Sequence, residues 1–312
     1  MKLRNVMRFL GTLAAVIVLL GLLVVRVTGC SPLTAVQPSP GVAQPGPLAA
    51  DQPPSTPRPV SAECRAAGWT EAAQANANGL AYLAWAPFRR PETGWEVYAP
   101  LVQHEIGTRC PADSEGFAAA LSAWQRGAGQ TPDGVLDEAS FLALKSNAQT
   151  RREFVRVTAA GVCPGTPDLI TAARLDEGFS GKQVWLRPRA LAAYRQLVAA
   201  ARAQVPEAAA DPQLLSIFSG YRSPAADAAR CQAEGNCDGI VRARCSAHRT
   251  GLAADITLGH APGFTVDSSA DPNRLYMTRT ATYCWLLANA GRYGFVNYPF
   301  EPWHWEWTGE AP

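Results

Sequence analysis

The sequence predicts an α+β fold, with a small helical bundle ahead of a domain that mixes helices and strands. Three observations carry this expectation. Apolar residues between positions 62 and 148 recur only at helical spacing. Beyond position 165, stretches of period two appear beside stretches of helical period, and the two kinds do not alternate regularly as a doubly wound sheet requires. With 312 residues, 47% apolar and 17% charged, the chain can also bury more than one core. A formal net charge of +2, with no stripe of Lys and Arg, gives no electrostatic footprint for nucleic acid, so none is expected as a partner.

The N-terminus reads MKLRNVMR and then FLGTLAAVIVLLGLLVV, seventeen uncharged residues from Phe9 to Val25 behind a basic flank. That is the pattern of an export signal or a short membrane anchor. RVTGC follows, which places Cys30 where a bacterial lipoprotein carries its lipid, the alternative being an uncleaved anchor. Residues 1–30 are thus expected to tie the chain to a membrane, with the bulk exported to the outer face of a bacterial cell membrane or the periplasm. Residues 31–61 hold nine prolines and almost no large apolar side chain, so they cannot form a core. As an extended tether they would reach on the order of 90 Å at about 3.1 Å per residue.

Eight scattered cysteines without C-x2-C pairs read as disulfides of an exported chain rather than a structural zinc knuckle. Cys231 with Cys237 is the most local pairing, and Cys64 with Cys110 would staple the first domain. The partners of Cys163, Cys245 and Cys284 stay open.

In the first domain, expected over 62–148, Phe117, Leu121 and Trp124 fall at i, i+4 and i+7 of one helix. A Pro-Asp-Gly turn follows, and Asp137 is placed to cap a last helix that carries Phe141 and Leu144. Trp124, Gln125, Thr131, Pro132, Asp133, Gly134 and Phe141 resemble the signature of the peptidoglycan-binding domain found beside many cell-wall hydrolases. The resemblance implies peptidoglycan as a partner; for Trp124 and Phe141, packing of the bundle is the preferred role.

Residues 149–165 read as a linker and 166–312 as the second domain. Leu191, Tyr194, Val198 and Ala201 share a helix face, and LLSIF, Leu214 to Phe218, reads as a short buried strand ending in SGYRS. In GLAADITL, Leu252, Ala254, Ile256 and Leu258 face one way while Ala253, Asp255 and Thr257 face the other. A later helix aligns Tyr283, Leu287 and Ala290, with Gly291 and Gly294 as stop signals.

The chemistry concentrates at the C-terminus, in EPWHWEWTG. As a strand, this segment puts Trp303, Trp305 and Trp307 on one face and Pro302, His304 and Glu306 on the other. The tryptophans can seal a core, which leaves His304 on the non-core side, as Asp255 is on its own strand. His248 stands seven residues before Asp255. Two histidines and a carboxylate leave one position of tetrahedral zinc open for water, the arrangement of a catalytic site, although the same set also suits other divalent metals, including non-haem iron. Glu301, behind Pro302, could sit beside that water without binding the metal. Glu306, His104 and His260 read as surface groups.

SGYRS at 219–223, SAHRTGLAAD at 246–255, YGF at 293–295 and EPWHW at 301–305 occur in the order seen in D-alanyl-D-alanine carboxypeptidases of the VanY-like zinc peptidase family, which residues 185–309 resemble. Ser246, His248, Gly251, Ala253 and Asp255 fit its pattern S-x-H-x-x-G-x-A-x-D. The resemblance implies a small, mainly antiparallel sheet flanked by helices, Zn2+ held by His248, Asp255 and His304, Glu301 as catalytic acid/base, and Arg222 steadying the substrate. Tyr221, Ser246 and Trp303 are candidates to line the pocket, with core packing at least as strong a reading for Tyr221 and Trp303. The stretch from Pro224 to Cys245 is short and cysteine-rich, which implies a remodelled pocket wall, and Arg249 adds a cation there. The implied activity is removal of the terminal D-alanine from peptidoglycan stem peptides. An endopeptidase or an L,D-carboxypeptidase would keep the same site, and the rival of another class is a non-catalytic wall-binding protein with a structural metal.

Overall fold

The computed structural model describes residues 62–235, 237 and 244–312. The expected anchor and tether lie outside the described residues, and no helix among those described is long and apolar enough to cross a membrane.

The helical part begins with α1 (Thr70–Tyr82), continues through a short hairpin of β1 (Ala84–Trp85) and β2 (Glu92–Thr93), and then α2 (Ala99–Glu105), α3 (Glu115–Gly127) and α4 (Glu138–Thr150). Trp95, Tyr98, Phe117, Leu121, Phe141 and Leu144 form its core, with Trp124 half-buried against it. Helix starts follow the sequence. Ser114 accepts from the Phe117 amide at the head of α3, and Asp137 accepts from the Ser140 amide at 2.7 Å at the head of α4. Such caps satisfy amides that the helix leaves unpaired and contribute about 1 kcal/mol each.

The Pro-Asp-Gly turn is built around buried Gln125, whose amide donates to the Val135 carbonyl and accepts from the Gly134 amide at 2.8 Å. Asn76 of α1 clamps the same turn, donating to Gly134 O and accepting from Leu136 N, both at 2.8 Å. Gly134 has φ +72°, and a Cβ there would sit 2.6 Å from the Ala118 carbonyl, so only glycine fits. In this chain, then, the Gln125 and Gly134 positions of the motif hold two helices together.

After α5 (Glu153–Thr158) come β3 (Thr171–Ala172), β4 (Trp185–Leu186), α6 (Pro188–Gln204), α7 (Pro206–Ala210), β5 (Ile217–Ser219), α8 (Pro224–Glu234), β6 (Ala253–Ile256), α9 (Asp271–Thr278), α10 (Ala281–Asn289), β7 (Phe295–Tyr298) and β8 (Glu301–Trp307). The last four strands to form a sheet run in the order β5-β6-β8-β7, every pair antiparallel. The fold is α+β. One face of this sheet packs on α6 and α10 through a core that includes Leu191, Tyr194, Leu197, Trp285, Leu286, Trp303, Trp305 and Trp307. Burying an aromatic ring removes roughly 150–250 Å² from water, on the order of 4–6 kcal/mol of gross transfer free energy. Three tryptophans therefore fix β8 in the sheet independently of what its other face carries.

Three local expectations are refined. The strand read over Leu214–Phe218 starts only at Ile217, because Leu215 takes φ +69° and breaks the extended run. In α10, Trp285 and Leu286 are buried while Leu287 is half-buried, so the core-facing stripe is wider than Tyr283, Leu287 and Ala290 suggested. The segment read as a linker carries α5, whose Phe154 packs with Cys245, Ala247 and Ala253 on the sheet's second face. Disulfides join Cys64 to Cys110 and Cys231 to Cys237, as the sequence suggested, and Cys163 to Cys245, which ties the α5 segment to the loop before His248.

Candidate metal centre

Antiparallel pairing sets Asp255 of β6 directly opposite His304 of β8. Residues opposite each other project from the same face, so two adjacent strands deliver two ligand types to one place. His248 reaches it from a 3-10 turn over Ala247–Thr250, capped by the Ser246 hydroxyl and ended by Gly251 at φ +68°. Its imidazole meets that of His304 edge to face, ring centres 5.1 Å apart. Among the described residues, His248, Asp255 and His304 are the cluster able to share an ion: one ligand atom from each lies within 4.8 Å of the others, and all three side chains are buried.

Hydrogen bonds decide which nitrogens face inward. Nδ1 of His248 lies 2.8 Å from the Gly220 carbonyl, which can only accept, so Nδ1 carries the proton and Nε2 turns to Asp255 Oδ2 at 3.1 Å. Nε2 of His304 lies 3.2 Å from Glu306 Oε1, and Nδ1 turns to Asp255 Oδ1 at 2.8 Å. Two imidazole nitrogens and a carboxylate thus converge, each histidine held from behind by an oxygen acceptor, as metal-binding histidines are. The donor set fits zinc.

Electrostatics match this arrangement. Burial alone would raise the Asp255 carboxyl, but the charge and hydrogen bonds of His248 and His304 outweigh it and hold it well below the usual carboxylate range. Burial would lower His304, yet its bonds to Asp255 and Glu306 push it up to about 9. Without metal the three groups bond one another, and a cation would take the place of a proton.

Glu301 begins β8 with its side chain 32% exposed and Oε2 3.9 Å from His304 Nδ1. Loss of solvation and, after the partial relief given by His304, the charge of Asp255 raise its pKa. The site opens on a cleft of about 990 Å³, whose lining includes Tyr221, Arg222, Ser246, Glu301 and Trp303. Arg222 donates to Ser246 and Ser219 hydroxyls at 3.3 Å each. Tyr221 is half-buried, whereas Trp303 belongs to the tryptophan core and also lines the cleft. Arg249, expected as an added cation, pairs with buried Asp227 at 2.6 Å, a carboxylate it shares with Arg222 at 3.7 Å. Of the short stretch after Pro224, residues 224–234 form α8, which starts on the Ser223 cap and lends Arg230 and Glu234 to the cleft wall.

One expectation is overturned. Glu306, read as a surface group, is 2% exposed. It lies on the non-core face as strand alternation requires, but the α5 segment covers that face, and Arg152 just before α5 donates through Nε to Glu306 Oε1 at 2.7 Å and through a terminal nitrogen to the same oxygen. Its signal in the sequence was a carboxylate two residues from a ligand on the same strand face; Arg152, Asp227 and the Gly220 carbonyl had none. His104 and His260 are exposed, away from the cluster.

With this geometry in place, the comparison with known families is direct: residues 183–310 match the model of VanY, D-alanyl-D-alanine carboxypeptidase. The likeness is confined to these residues, and the family it points to is one of peptidases and hence hydrolases. No curated protein matches the chain.

Proposed function

We propose that the protein is a zinc-dependent carboxypeptidase that removes the terminal D-alanine from peptidoglycan stem peptides. The observation that carries this reading is the convergence of His248, Asp255 and His304 on one point of the cleft, with the Glu301 carboxylate beside it. Those three residues would hold the ion. When bound, it supplies Lewis acidity, polarising a carbonyl and lowering the pKa of water toward about 7. Glu301 accepts a proton from the water that attacks the scissile carbonyl carbon, and its raised pKa suits a base that must give the proton up again. It delivers that proton to the nitrogen of the departing D-alanine as the C–N bond breaks. Arg222, on the cleft wall, supplies the cation for the free carboxylate of the substrate's last residue. Tyr221 and Ser246 bound the same space, Ser246 also orienting Arg222.

The disulfides support export, since such bonds persist in oxidising compartments. Residues 9–25 would then anchor the chain to the membrane, with or without a lipid on Cys30, and the helical domain would hold peptidoglycan.

The test is purified protein incubated with isolated muropeptides and read by mass spectrometry. The expected product is the stem peptide short of one alanine, formation of which stops with chelator and falls at least about 100-fold in Glu301→Ala. Alanine release that survives Glu301→Ala contradicts the assigned role, and a cleaved cross-link would move the assignment to an endopeptidase.

A further inference from the structure

We propose that Glu306 is a positioning residue of the metal centre, held in place by Arg152, so that the site is completed by a segment outside the peptidase domain. The inference rests on the metal reading above. A single oxygen, Glu306 Oε1, receives two N–H groups of Arg152 and faces Nε2 of His304 at 3.2 Å. A carboxylate in that position keeps a proton on Nε2, so that when a cation displaces the Nδ1 proton now shared with Asp255, the Nδ1 lone pair is directed at the point shared with His248 and Asp255. Without it, the imidazole could carry its proton on Nδ1 and donate to Asp255, and the ligand lone pair would be lost.

Glu306 is removed from water, and a buried carboxylate stays in one geometry only with a partner. Arg152 is itself fixed on three sides. Its guanidinium donates to Gln149 at 2.5 Å at the end of α4, lies 4.3 Å from the centre of the Tyr298 ring, and is followed by the Phe154 packing and the Cys163–Cys245 bond that secure α5. A pair that served only to dock the two domains would not need to share its oxygen with a ligand imidazole.

The test uses the full chain and its affinity for zinc, measured by competition with a chromophoric chelator, beside thermal melting. The double variants Arg152→Met/Glu306→Met and Arg152→Met/Glu306→Gln both avoid an unpaired buried charge. The methionine pair is expected to bind zinc about 10–100-fold more weakly, and the glutamine pair, whose amide oxygen still accepts from Nε2–H, to lose less. Zinc affinity unchanged in the methionine pair, with only its melting temperature lowered, would overturn the proposal in favour of simple docking. Nitrogen NMR of the imidazoles in the zinc-loaded, unaltered protein gives a reading that needs no variant to fold: His304 protonated at Nε2 supports the proposal and at Nδ1 overturns it. Failure of the unaltered chain to bind zinc would instead remove the metal reading itself.

Discussion

Two buried ionic clusters join the helical part to the peptidase domain, and they differ in what stands at the centre. Around Arg274 of α9, which is fully buried, the centre is a cation. Its Nη1 meets Glu92 at 3.3 Å and Asp271 at 3.1 Å, its Nε donates to the Phe300 carbonyl at 2.9 Å, and its other terminal nitrogen donates to the Tyr98 hydroxyl. Tyr98 in turn donates to Glu92 at 2.7 Å. Every nitrogen of the guanidinium is engaged, and a group that never loses its charge leaves no place for an ion. Around His304 the centre is a point on a cleft wall where two imidazole nitrogens and a carboxylate meet, with the fixed cation Arg152 one residue further back behind Glu306. Where a permanent cation sits decides whether a buried cluster fastens the fold or leaves a place that a metal ion could take.

That contrast can be broken by substitution. Arg274→Met should cost about 3–5 kcal/mol, because Glu92 is left buried with the Tyr98 hydroxyl but without its counter-charge, while zinc affinity stays as it was; denaturant unfolding beside chelator competition reads both. A large loss of zinc affinity there would show that the two clusters are not separable in role.

The contrast sharpens with pH. In the metal-free protein His304 is raised from the ordinary 6.5 to about 9. Its protonation therefore stabilises the metal-free fold fully below about pH 6.5 and ceases to do so as pH rises through about 9. Zinc must displace that proton, so its affinity should fall about tenfold for each pH unit below that value. Affinity independent of pH between 6.5 and 9 would contradict the state assigned to His304. No such dependence arises at Arg274.

Much of the centre was legible in the sequence because residue type and strand period both act locally. Alternation alone put Asp255 and His304 off the core faces of their strands, and the tryptophans gave β8 its direction. What alternation cannot say is what covers the second face of a sheet. Glu306 looked solvated because α5, which hides it, is a helix of six residues, too short to show a helical period in the sequence. The truncated strand at Leu215 was hidden for a related reason: a positive φ at leucine is imposed by the Thr257 and Ser216 backbone bonds around it, not by its own preference. Arg152 carries no local mark at all, since its partner lies 154 positions away.

The most direct test of the central claim is anomalous diffraction at the zinc edge from crystals of the full-length protein loaded with one equivalent of zinc. The account predicts one ion bound by Nε2 of His248, a carboxylate oxygen of Asp255 and Nδ1 of His304, on the cleft side. An ion held elsewhere, or none with these three side chains still hydrogen-bonded to one another, would contradict it.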